Sequence, residues 1–336
     1  MYQRMTCVGA LLCAACGSDQ PMLAIDMGHA MEGDASMESP DAGLPIEDAG
    51  LPPCVAPPMR MPTPDTQSMR LSELGLYADI TSKQTACDLL TWQPRFPLWS
   101  DGATKQRWLR LPEGAKIDSA DADHLRFPVG AVLFKEFALA GKRLETRVIA
   151  RVSQDETFFG AFVWRDDESD ADLVRAGANN VRGGEHDVPS ETDCLLCHKG
   201  EPGRVLGLSA IQTPDFARFS QPVPTLEVAP ALGYLHGNCG HCHNEYGDGW
   251  RMAEMTLRLS AREGATLLRQ SIGAPTTKTI LGRTTRIVPG DPDASAVLAR
   301  MQVRGGDDQM PPIASEHVDP EGLAQVRAWI ESVSAE

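Results

Sequence analysis

Residues 131–164 read AVLFKEFALAGKRLETRVIARVSQDETFFGAFVW. Three runs within it, 131–139, 143–152 and 157–164, are rich in β-branched and aromatic residues, and turn-forming residues separate them. In the middle run Leu144, Val148, Ala150 and Val152 have charged neighbours, the period-two signature of a strand. No long period-3.6 stretch interrupts residues 70–180, so the expected architecture there is an antiparallel β-sandwich. Just before it, FPLWSDGATKQRWLRLPEGAKI (96–117) shows no catalytic constellation. Ser100 and Asp101 beside Gly102 read as turn chemistry, and Trp99 and Trp108 as core residues.

Toward the C-terminus the period changes. PALGYLHGNCGHCH (230–243) puts Leu232, Leu235 and Cys239 at helical spacing. GDPDASAVLARM (290–301) carries Val297, Leu298 and Met301 after an Asp-Pro start. DPEGLAQVRAWIESV (319–333) opens with Asp319 as N-cap and Pro320 at the first helical position. Three helices with loop-rich intervals predict a small all-α domain from about residue 230.

At the other end, Arg4 precedes an apolar run from Cys7 to Ala15, the pattern of a short export signal. Residues 17–65 carry nine Asp or Glu against one Arg and read as an acidic tether that does not fold. The net charge of -15 argues against a nucleic-acid partner, because phosphate binding needs clustered Lys and Arg.

Two motifs carry the chemistry: DCLLCHK (193–199) and NCGHCHN (238–244). Each places two cysteines three positions apart with a histidine immediately after. Zinc on Cys194, Cys197, Cys239 and Cys242 is one reading, but the 41 residues between the pairs exceed a compact zinc site. Nor does zinc explain His198 and His243. With 8 His in 336 residues, two chance placements have odds of roughly one in two thousand. A redox disulfide prefers a βαβ context that the sequence lacks. Covalent haem needs this arrangement: two thioethers on one porphyrin edge, then an imidazole on the iron.

Met310, 67 residues after His243 in QMPPI, is the candidate sixth ligand of the second iron. For the first iron the candidates are His186, His236, Met252, Met255 and Met301. His241, inside the second motif, is expected to point to solvent. Cys54 and Cys87 remain, either as a disulfide or as two free thiols.

The segment from about residue 230 resembles a class I type cytochrome c. More widely, PLWSDGATKQRWLRLPEG, FPVGAVLFKEF, LETRVIARV and VPSETDCLLCH are similar to a family of bacterial diheme c-type cytochromes with an N-terminal β-rich region. Ala14 and Ala15 before Cys16 resemble a lipoprotein processing site, which would make Cys16 the lipidated residue. The implied organisation is a lipoprotein-type signal (1–16), the tether (17–65), a β-rich domain (66–190), a first haem segment (191–229) and an all-α cytochrome c domain (230–336). The resemblance implies two covalently bound haem c groups and electron transfer with redox partner proteins. It also implies export to the periplasm or cell surface and a membrane association through the lipid anchor. Two alternatives stay open. One is a haem enzyme, a peroxidase or reductase at the first iron, and the other is a β-domain binding module coupled to a cytochrome.

Overall fold

A small hairpin of β1 (Tyr77–Asp79) and β2 (Gln84–Thr85) precedes the main sheet. The computed structural model describes residues 54–334. The expected signal segment with Cys16, and the tether up to residue 53, lie outside the described residues. The main sheet is one antiparallel meander of β3 (Leu90–Thr91), β4 (Thr104–Arg110), β5 (Val132–Leu139), β6 (Lys142–Arg151), β7 (Thr157–Trp164) and β8 (Ala171–Leu173), hydrogen-bonded in that order. Ala140 and Gly141 join β5 to β6 with φ of 48° and 77°. Two positive-φ residues give the turn whose twist matches a hairpin.

Alternation along the strands sorts side chains onto two faces. Trp108, Phe134 and Val148 are cross-strand neighbours on one face. They pack with Phe158, Phe162 and Trp164 against Met69, Leu71, Leu74 and Leu76. On the other face Leu109, Leu133 and Ile149 meet Val205, Leu208 and Phe219. A short 3-10 helix (Leu71–Leu74) with the chain around it covers one face and irregular chain the other, so the expected sandwich of two sheets is not formed. Alternation reports that a strand has a buried face and says nothing about what buries it. Residues 54–65 lie along this sheet region, with Met59 and Met61 in its apolar cluster and Cys54 disulfide-bonded to Cys87.

Segment 230–336 departs further from expectation. It contains α2 (Pro230–Asn238), α3 (Asp248–Ala253), α4 (Thr266–Arg269), α5 (Ala296–Met301) and α6 (Pro320–Ser332), preceded in the chain by α1 (Glu191–His198). A hairpin of β9 (Pro275–Ile280) and β10 (Arg283–Thr285) interrupts them. With 19% of the structure in helix and 23% in strand, this is not an all-α cytochrome c domain. The β-branched run TTKTI and the positive-φ pair Leu281–Gly282 make the hairpin locally favourable. α6 does begin where expected: Asp319 Oδ1 accepts from Glu321 N (3.1 Å) and Gly322 N (3.0 Å). α5 begins at Ala296 after Ser295 rather than at the Asp-Pro pair.

α2 and α6 pack on each other, with Leu232 and Leu235 sharing a core with Val326 and Ile330. Gly322 permits the close crossing, since a Cβ there would lie 2.0 Å from the Tyr234 ring. Gly233 and Gly237 on α2 do the same for Phe96, which couples α2 to the segment before β4. Trp108 is core as expected. Trp99 is only half-buried, and its Nε1 donates to His317 O (3.0 Å).

Candidate functional site

α1 carries the first motif. Ser190 caps it reciprocally with Asp193: Ser190 Oγ accepts from Asp193 N (3.2 Å), and Asp193 Oδ2 accepts from Ser190 N (3.1 Å). The helix sets Cys194 and Cys197 one turn apart on one side. His198 ends it and packs on Phe159 of β7, ring centroids 5.2 Å apart. The second motif follows α2 directly. Cys239 caps that helix, and the amide of His243 donates to Cys239 O (2.9 Å), continuing the turn.

The fold brings the two motifs together. One ligand atom each from Cys197, His241 and Cys242 lies within 4.8 Å of the others. Cys242 Sγ also approaches Leu196 O (3.6 Å). Gly200 makes the approach possible, because a Cβ there would lie 1.8 Å from His241 O. Asn244, fully buried, donates from Nδ2 to Gly240 O (2.7 Å) and His241 O (3.1 Å), locking the second motif's backbone. Lys199 and Asp248 form an ion pair across the junction. His241 is thus buried between the motifs and does not point to solvent. Nothing in its sequence position distinguishes it from a spacer residue.

The histidines expected to ligate are held neutral. Burial pushes His198 down to about 4, with help from the Lys135 charge. His243 is likewise pushed down to about 4, chiefly by burial. His198 Nδ1 lies 2.7 Å from Arg204 O. A carbonyl only accepts, so Nδ1 carries the proton and Nε2 presents its lone pair. That is the arrangement a metal-ligating imidazole uses. His243 Nδ1 is buried without a well-formed hydrogen bond, although the Met255 backbone favours a proton there. Gly249 leaves room for this ring, since a Cβ would sit 2.9 Å from its Cγ and Nδ1.

Burial pushes the Cys194 thiol up to about 11 and the Cys239 thiol up to about 12. The interaction between the Cys197 and Cys242 thiols pushes Cys242 up and Cys197 down. All four thiols are free. Two free thiols and an adjacent neutral imidazole in each motif fit the donor chemistry of covalent haem.

Among the candidates for a sixth ligand at the first motif, the two histidines have other partners. His186 Nε2 bonds Glu145 Oε1 (2.8 Å). His236 Nδ1 accepts from Leu259 N (3.1 Å), which puts its proton on Nε2. Met255 and Met301 are core residues, and Met252 is 70% exposed. Met310 sits half-buried in the α5–α6 loop, its amide donating to Arg300 O (3.0 Å).

A cavity of about 470 Å³ lies apart from the motif cysteines and is lined by Phe96, Trp99, Lys105, Tyr234 and Asp319 among others. No protein-family model, curated protein or solved structure matches this chain.

Proposed function

We propose that this chain is an exported electron-transfer protein holding two covalent haem c groups, at Cys194, Cys197 and His198 and at Cys239, Cys242 and His243. The observation that carries the reading is the meeting of the two motifs through Cys197 and Cys242. Groups attached to both would be neighbours, which a relay requires and a pair of independent sites does not. Haem iron, when bound, supplies a one-electron couple. The chain contributes the rest. Arg204 O fixes the His198 tautomer, burial keeps both imidazoles unprotonated, and Asn244 holds the second motif's backbone. Met310 is the proposed sixth ligand of the second iron. Lipid anchoring through Cys16 and redox partner proteins complete the proposal.

The test is stoichiometric. Pyridine haemochrome analysis should count two haems per chain, and replacing Cys194 and Cys197 together with Ser should leave one. An unchanged count in that double variant would overturn the first site.

A second reading is favoured by one observation. The converging Cys197, His241 and Cys242 offer three soft or borderline donors suited to zinc. It requires one zinc per chain by elemental analysis, and zinc loss in His241→Ala. The haem reading expects neither.

A further inference from the structure

The sheet face beneath the first motif carries an unusual row. In register across three strands stand Arg107 on β4, Lys135 on β5 and Arg147 on β6. Directly opposed like charges destabilise a sheet, and this row is not solvated: Arg107 is 4% exposed and Lys135 is partly buried. The adjacent row adds Lys105 and one carboxylate, Glu145. That carboxylate is spoken for, since Arg147 binds it at 2.6 and 2.9 Å and His186 at 2.8 Å. Arg107 has only the neutral Gln93 Oε1 (2.7 Å) and the Trp92 ring. Lys135 lies over the Phe137 ring, 4.7 Å from its centroid. Lys105 donates to Leu98 O (2.5 Å). Glu201, which shares a small cavity of about 50 Å³ with Arg107 and Lys135, pairs with Arg258 (2.5 Å). Arg107 and Lys135 therefore have no carboxylate partner among the described residues, in a chain whose net charge is -15.

Buried charge is retained where something offsets it. The row lies on the sheet face that meets the first motif: His198 packs on Phe159 of β7, which pairs with Ile149, two residues from Arg147 on the same face of β6. We propose that Arg107 and Lys135 form an anion-receiving site, and that its occupant is the propionate carboxylates of the haem held by the first motif. This rests on the haem reading above. It adds an orientation: the porphyrin's carboxylate edge turned inward, onto the sheet. Arg107 offers a planar fork matched to a carboxylate, and Lys135 a point charge beside it.

The test uses the haem-loaded full-length protein and the single variants Arg107→Gln and Lys135→Met, with Lys135→Arg as charge-preserving control. Removing a cation from the carboxylates favours the oxidised iron. At the first haem each variant should shift the reduction equilibrium about tenfold toward the oxidised form, or 59 mV for one electron. The second haem should stay unchanged, and Lys135→Arg should restore the wild-type value. Resonance Raman should show the propionate bending band of one haem displaced in the same variants. A moved potential with an unmoved band would mean the cations act only through space, and would overturn the contact. A shift that appears only with added phosphate would assign the site to a solvent anion and overturn the occupant. If one variant fails to fold, the other carries the same measurements. A haem count below two would overturn the parent reading; two haems with neither property altered would overturn this inference alone.

Discussion

Replacing Gly200 by Ala tests whether the two motifs meet as described. Gly200 follows the first motif, is buried, and has no positive φ, so Ala is acceptable to its backbone. The only obstacle is space. A Cβ would lie 1.8 Å from His241 O, where real contacts essentially never fall below 3.0 Å. The two backbones must separate by at least about 1.2 Å, the difference between those distances. Neither partner is a flexible side-chain end, so the strain cannot be relieved by a rotamer change. Overpacking of this kind costs about 1–3 kcal/mol, and we expect the upper end, roughly a hundredfold in the folded-to-unfolded ratio. Urea unfolding monitored by tryptophan fluorescence would measure it. Gly306→Ala serves as control, having open space and an ordinary φ. The same displacement should part Cys197 from Cys242. In haem-free protein made under reducing conditions, a short bifunctional thiol reagent should bridge that pair in wild type and markedly less in Gly200→Ala. Equal stability and equal bridging in the two proteins would refute the described junction.

Three further outcomes are expected. Replacing Cys54 and Cys87 with Ser removes a bond spanning 33 residues; the chain-entropy relation gives a loss of about 3–4 kcal/mol, and an unfolding free energy lowered by less than a quarter of that in denaturant titrations would refute it. Burial pushes Lys105 down to about 8 from 10.5. Between those pH values the unfolded chain binds the extra proton, so stability should rise with pH across that window. Lys105→Met should flatten the rise, by about 2 kcal/mol after discounting for partial exposure, in paired unfolding curves. If Met310 ligates the second iron, Met310→Ala should lower that haem's potential and let it bind carbon monoxide, read from the Soret band. Carbon monoxide binding to the second haem of wild type would exclude Met310 as its ligand.

The sequence alone determined the local features. The runs that became β5, β6 and β7, the capped start of α6 and the two Cys-x-x-Cys-His motifs were all legible. Each depends on residues close in the chain: pleat alternation, an Asp–Pro helix start, and a five-residue ligand spacing. The tertiary structure decided what covers each face. Arg107, Lys135 and Arg147 look in sequence like the solvated side of alternating strands, yet the chain after the first motif folds over them. His241 looks like a spacer, yet the approach of Gly200 buries it against Cys197. The β9–β10 hairpin was missed because Leu281–Gly282 lacks the usual Asn-Gly turn signal. The two-sheet sandwich was wrongly expected because alternation cannot tell a second sheet from a short helix and irregular chain as the covering layer. Which charges are stranded and which thiols meet depends on contacts between residues tens to more than a hundred positions apart, and no local pattern encodes those.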